Sequence, residues 1–137
     1  MKIIQFTVPH RPLSENHIYG YTKTGRKYMK AEGKELMFRT AFCAKRAMQA
    51  GGHKVFAGPF SVTVVYFMIP KNECDVSNCE KALLDAMEGI VYVNDKQNGR
   101  NLIDDPYWSN QGIYYSFTCR KFVGACVPHI DVTITYY

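Results

Sequence analysis

Long apolar runs are missing from this 137-residue chain. No stretch approaches the roughly 18 consecutive apolar residues of a membrane-spanning helix, so a soluble, cytoplasmic protein with no membrane partner is expected. Closely spaced cysteine pairs are missing as well. The five cysteines (Cys43, Cys74, Cys79, Cys119, Cys126) are odd in number, with four residues between Cys74 and Cys79 and six between Cys119 and Cys126. Zinc knuckles usually enclose roughly two to four. Buried free thiols in a reducing compartment fit better than a zinc site. No leader is expected, because MKIIQFTVPHRP has no small-residue cleavage site and reads as a strand. Internal repeats, low-complexity tracts and linkers are absent too. Acidic residues are the scarcer charge, 12 Asp+Glu against 17 Lys+Arg, for a formal net charge of +5. That balance suits an anionic partner, although mild basicity by itself is weak evidence of one.

What remains suffices for one domain spanning residues 1–137, with 47% hydrophobic residues to build a core. Residues 3–8 (IIQFTV) set Ile4, Phe6 and Val8 against Gln5 and Thr7, the period of a half-buried strand. PHRPLSENHIYGYTKTGRKYMK (9–30) carries two prolines and two glycines, and reads as a loop or mobile hairpin closing in a short strand near Arg26–Met29. It is either a solvated turn or a basic, tyrosine-bearing arm over a ligand groove. Residues 31–50 read as a first long helix, with Leu36, Thr40, Cys43 and Ala47 on one stripe and Gly51–Gly52 ending it. FSVTVVYFMI (60–69) is apolar on both faces beyond Thr63 and predicts a central strand covered on two sides.

The segment NECDVSNCEKALLDAMEGIVYVND (72–95) is the informative one. Ser77 and Glu80 have capping-box spacing, so a second helix is predicted from Asn78. Cys79, Ala82, Leu83, Ala86 and Met87 form its apolar stripe, Gly89 stops it, and IVYV (90–93) is predicted to return as a strand. Residues 96–111 show no period, and strands follow near 112–122 and 128–137. The sum is an α+β chain with a mixed β-sheet and two main helices.

That helix–turn–strand unit would bring Asp75 and Asp95 together, with Lys81 and Asp85 at i and i+4 on the helix's polar side. Converging carboxylates repel unless protons or cations intervene, and Mg²⁺ takes one or two of them while keeping several waters. Such an ion can activate water against a phosphodiester, and the Lys81 ammonium can neutralise charge on the phosphate. Plainer readings stand beside this one. Asp75 can interact with the helix dipole, Lys81–Asp85 can be a surface pair, and Asn94–Asp95–Lys96 can be a turn.

The string DVSNCEKALLDAMEGIVYVND, with VPHRPLSENHIY upstream, resembles the RusA family of Holliday junction resolvases. That family's pattern is Asp-x-Asp-Asn, a Lys three residues on, an Asp on the helix, and an acidic turn after the next strand. Asp75, Asn78, Lys81, Asp85 and Asp95 stand at those places, and Pro9 to Asn16 look like its proline- and asparagine-containing loop. The likeness covers residues 3–97; beyond 98 it is topological, with Asp104 to Trp108 an apparent addition. It implies an intertwined homodimer and a Mg²⁺-dependent endonuclease, with Mn²⁺ as a substitute and no nucleotide cofactor, nicking four-way DNA symmetrically. It further implies Asp75, Lys81 and Asp95 as catalytic residues and Asp75, Asp85 and Asp95 as metal ligands. Asn16, Lys23, Arg26, Lys27, Lys30 and Asn78 become DNA contacts, with Lys34 continuing the cationic run. Two positions depart from the pattern: Ser77 replaces its second carboxylate, and Asn94 replaces a further acid. The alternative is therefore a non-catalytic module that binds branched DNA, having lost a metal-binding carboxylate at Ser77. An unrelated fold with a cysteine zinc site ranks last.

Overall fold

The strand Phe60–Met68 organises the chain, because every second side chain along it (Phe60, Val62, Val64, Tyr66, Met68) is buried. The computed structural model describes residues 1–76, 79–93, 117–124 and 127–136. In chain order the elements are β1 (Lys2–Val8), α1 (Glu15–Ile18), β2 (Tyr19–Tyr21), β3 (Lys27–Met29), α2 (Ala31–Ala50), β4 (Phe60–Met68), α3 (Cys79–Met87), β5 (Phe117–Val123) and β6 (His129–Tyr136). Four strands form a mixed sheet in the order β1-β6-β4-β5, and β2 pairs with β3 in a separate hairpin. β6 runs antiparallel to both β1 and β4, whereas β5 runs parallel to β4. A parallel neighbour cannot be reached by a tight turn. The chain leaves β4 through a 3₁₀ turn at Pro70–Asn72 and α3 before it returns as β5.

The fold is thus α+β with a mixed sheet, and α2 and α3 are its two main helices. A third helix, α1, is a single turn of four residues, too short to leave a periodic signature. It is closed by Ser14, whose carbonyl accepts from the backbone N–H groups of His17 and Ile18. The arm that read as a loop or mobile hairpin is therefore structured. α1 leads into a hairpin with Tyr19 opposite Met29 and Tyr21 opposite Lys27. Gly25 turns it at φ +84°, a conformation that glycine adopts without steric cost.

β4 is interior as its sequence predicts, but only one of its faces is fully buried. Ser61, Thr63, Val65 and Phe67 on the other face are half-buried. The covered face meets Ile4 and Val8 of β1, Ile130, Val132 and Ile134 of β6, and the buried sides of α2 and α3 in one hydrophobic cluster. On α2 the buried row is Gly33, Leu36, Thr40, Ala44 and Met48. Thr40 satisfies its hydroxyl inside that row by donating to the Leu36 carbonyl at 2.7 Å.

The predicted strand at 90–93 is not a strand. Gly89, at φ +82°, reverses the chain as soon as α3 ends, and its N–H donates to the Tyr92 carbonyl at 2.7 Å. Val91 and Tyr92 are both buried, although they are adjacent. Successive residues of a half-buried strand cannot both face the core. Tyr92 makes an isolated bridge to Phe56 and donates its hydroxyl to the Leu84 carbonyl at 2.5 Å. Four apolar residues read as a strand because the period of so short a run does not distinguish a strand from a buried coil. Of the strands predicted near 112–122 and 128–137, the described parts are found at 117–123 and 129–136; residues 112–116 and 137 lie outside the described residues. Among the described residues no helix is long and apolar enough to cross a membrane.

Gly33 sets how closely the arm approaches α2. A Cβ there would lie 2.9 Å from the Ile18 carbonyl oxygen and 3.0 Å from the Ile18 Cα. Backbone atoms held by α1 cannot yield as a flexible side chain would. Gly33→Ala is therefore expected to destabilise the protein by about 1–3 kcal/mol, despite alanine's better helix propensity. Urea unfolding checks this, and an alanine variant as stable as the parent would mean that α1 and α2 separate freely.

Candidate active site

The approach to α3 is built by three parts of the chain. β4 ends at Met68, Pro70–Asn72 turn, and Glu73–Val76 run to the helix, where the Cys79 N–H donates to the Val76 carbonyl at 2.9 Å. Val76 and Cys79 are both buried. Asp75, between half-buried Cys74 and buried Val76, is exposed. It adjoins buried residues without itself needing desolvation, which suits a carboxylate that must meet solvent or a ligand.

The second part is β5. Lys121 lies 2.9 Å from Glu73 and within electrostatic range of Asp75 and Cys74. The hydrogen bond to Glu73 holds the ammonium above its ordinary lysine value. The third part is the proline loop after β1. Cys74 Sγ lies 3.7 Å from the Pro12 carbonyl oxygen, as a long, weak donor contact. Arg11, beside Pro12, is held on α2 by Glu32 through bonds of 2.7 and 3.0 Å. Its guanidinium holds Glu32 below the usual carboxylate range. The Arg39 guanidinium also donates to the Pro9 carbonyl, which ties the loop to α2 at a second point.

On α3, Cys79, Ala82, Leu83, Leu84, Ala86 and Met87 are buried, as the apolar stripe predicts, with Leu84 added. Lys81 is exposed and Asp85 half-buried, on the side opposite that stripe. One turn separates them, about 6 Å along the axis. Lys81 stands in the first turn of α3, at the end that Asp75 leads into. Asp95, Asn78 and the Ser77 of the predicted capping box lie outside the described residues. The predicted route to Asp95 does change, because a turn follows α3 where a returning strand was expected.

Of the predicted DNA contacts, Asn16, Lys23, Arg26, Lys27 and Lys30 are all exposed on the arm. Lys30 Nζ donates to the Asn16 carbonyl at 2.6 Å, and Lys27 Nζ sits 4.0 Å from the Tyr19 ring centroid. These contacts restrain the ammonium groups of two of the arm's cations. Sequence reasoning missed Glu73 and Lys121 at the site and gave Arg11 no role. Glu73 was discoverable, since Glu-Cys-Asp places a second carboxylate two residues before Asp75. Lys121 was not, because only the β4–β5 pairing, with Tyr66 opposite Lys121, brings it there.

The donor chemistry bears on which metal this end of α3 suits. Among the described residues no three His, Cys, Asp or Glu side chains converge as a metal-holding group. Exposed oxygen donors in small number fit Mg²⁺, which takes one or two carboxylates and retains waters, better than Zn²⁺, which needs a closed set of four. The described cysteines are free: Cys79 is buried, Cys43 and Cys74 are half-buried, and Cys119 is exposed, against the expectation of burial. Burial pushes the Cys79 thiol up to about 12, so it stays protonated at neutral pH. Beside it the Tyr66 hydroxyl is buried without a hydrogen-bond partner among the described residues, and its proton is held far more tightly than in water.

Comparison with known proteins adds the decisive context. Residues 9–135 match the family described as endodeoxyribonuclease RusA. The match runs past residue 98, where the sequence likeness was only topological, and takes in β5 and most of β6. Comparison with curated proteins gave no match.

The Arg11–Glu32 pair makes the proline loop sensitive to acid. Glu32 binds its proton less readily folded than unfolded, so the pair's contribution is present above the unfolded value near 4.5. It is lost as pH falls through the lower folded value. Glu32→Gln should cost up to ~1 kcal/mol at pH 7, the range of a solvated ion pair, and progressively less towards pH 3. Parallel urea titrations of parent and variant at both pH values check this; an equal difference at both would show that the pair's charge contributes nothing.

Proposed function

We propose that this chain, which belongs to the RusA endodeoxyribonuclease family, resolves Holliday junctions by metal-dependent hydrolysis of symmetrically placed phosphodiesters. The observation that carries this reading is the exposed Asp75 at the entry to α3, with Lys81 in the helix's first turn and Lys121 reaching it from β5. An acidic point inside a basic chain is what a cation-dependent enzyme acting on a polyanion requires, because neither charge alone binds both phosphate and metal.

In this reading Asp75 and Asp95 hold a Mg²⁺ ion, with Mn²⁺ as a substitute, and Asp85 supplies the charge that Ser77 lacks. When bound, the ion lowers the pKa of a water and stabilises the leaving oxygen. Lys81 stands where its ammonium can meet a phosphate oxygen as negative charge develops, and its exposure leaves it free to do so. Lys121, restrained by Glu73, keeps a second cation beside Asp75 and limits the repulsion that Asp75 exerts on incoming phosphate. Asn16, Lys23, Arg26, Lys27 and Lys30 contact the DNA backbone with Asn78. Contacts of that kind position the duplex without reading its sequence. A homodimer supplies two such sites, so that paired nicks fall in strands of like polarity.

The test is incubation of the protein with a synthetic four-way junction and a matched linear duplex, in Mg²⁺, Mn²⁺ or excess chelator. Paired nicks confined to the junction and abolished by chelator are expected. Asp75→Asn should lower the cleavage rate by at least about a hundredfold, in the range of losing a group that acts on the transition state. It should leave junction affinity unchanged or improved, since a negative charge beside phosphate has gone. Cleavage that persists in chelator, or an Asp75→Asn variant that cuts at the parental rate, would overturn the proposal.

A further inference from the structure

Helix α2 presents a solvent-facing row that neither the core nor the proposed active site uses. Phe38 and Phe42, one turn apart, are 72% and 54% exposed. Single exposed apolar residues are ordinary, but two phenylalanine rings on successive turns of one helix are a small platform. The row is also cationic. Lys34 lies one turn before Phe38, and Lys45 and Arg46 lie one turn after Phe42, all three exposed. The Arg46 guanidinium carbon sits 5.8 Å from the Phe42 ring centroid, within cation–π range. Glu35 is the one acid among the exposed α2 positions, and Arg39 already holds its carboxylate at 2.7 Å.

Charge decides what such a face can bind. A second copy meeting it through a two-fold axis would set like charges together. Antiparallel helices centred between Phe38 and Phe42 place Lys34 opposite Arg46 and Lys45 opposite Glu35, whose carboxylate Arg39 already holds, and parallel helices place Lys34 opposite Lys34. A polyanion that also carries flat apolar faces has the complementary chemistry, and nucleic acid whose bases are out of the stack fits both requirements. The row further continues the cationic arm, since Lys30 is the residue that leads into α2.

We propose that Phe38 and Phe42 form a base-stacking platform on α2, engaging bases exposed at the branch point of a DNA junction while Lys34, Lys45 and Arg46 hold the flanking phosphates. The inference rests on the reading of this chain as a branched-DNA enzyme and adds to it the feature that separates a branch from continuous duplex. Phosphate contacts cannot make that distinction, because every duplex offers them.

The experiment measures affinity of the full chain for a four-way junction, a single-stranded thymidine oligonucleotide and a matched linear duplex. It compares the parent with Phe38→Ala/Phe42→Ala, Phe38→Leu/Phe42→Leu and Phe38→Trp/Phe42→Trp. The alanine and leucine variants should lose about tenfold or more for junction and single strand, in line with stacking on one or two bases. Duplex affinity should stay within a factor of two, and the tryptophan variant should bind like the parent. Both rings are exposed, so the far-ultraviolet circular dichroism should not change. Equal loss on all three DNAs, full binding by the leucine variant, or a change in oligomeric mass on alanine substitution would overturn the platform. If the parent cuts junctions and every variant binds as it does, the platform fails while the nuclease reading stands. If the alanine variant loses single-strand binding but the parent never cuts, the nuclease reading fails and the platform stands. A parent that binds no DNA overturns both.

Discussion

The two-sided pairing of β4 is the constraint on which the rest of this structure depends. Its backbone is hydrogen-bonded to β6 along one edge and to β5 along the other, and every side chain of its inner face, from Phe60 to Met68, is buried. Because β5 is parallel, the chain must leave the sheet and come back, and α3 lies in that crossover. Asp75 is therefore delivered at the carboxyl end of β4. That is the end at which open sheets commonly expose their ligand-binding residues, and β5 brings Lys121 to the same place.

Around this frame the exposed and buried groups divide the work. Burial raises the Tyr66 and Cys79 protons out of the physiological range, so the interior behind α3 carries no charge that would compete with the acidic turn. Asp75, Lys81 and Lys121 are left in water, where the proposed chemistry needs them. The proline loop is pinned by Arg11–Glu32 and by Arg39, and Gly33 lets α1 sit against α2 without a spacer. The basic arm and the acidic turn are consequently tied to the same helix pair rather than joined by a free linker.

The two charge regions answer different needs. Under the proposed function the cations of the β2–β3 hairpin and of α2 attract nucleic acid at long range, and salt weakens them together. In the same reading the carboxylates near α3 act over a few ångströms and only on a phosphate already in place. The proposed platform of Phe38 and Phe42 lies among the cations of α2 and would place shape recognition on a third surface, so that affinity, discrimination and chemistry would draw on different side chains.

Much of this was legible in the sequence because short-range periodicity encodes it. Alternation in IIQFTV and FSVTVVYFM marked β1 and β4, and spacing along 79–87 marked the face of α3 that opposes Lys81. Asp75 was visible as a candidate because ordered residue types at fixed intervals survive without any knowledge of contacts. What periodicity cannot carry is pairing between distant segments. The burial of the adjacent Val91 and Tyr92, the glycine turn that replaces a strand, and the single-turn α1 follow from what each segment packs against. Lys121 joins Glu73 because β5 pairs with β4 across a crossover, and Arg11 becomes a clamp because α2 presents Glu32. The sequence by itself determined which side chains can be buried and which must remain charged, since these are properties of local composition and spacing. Tertiary structure alone decided which of the charged ones meet, since that is set by strand order and helix packing between residues far apart in the chain.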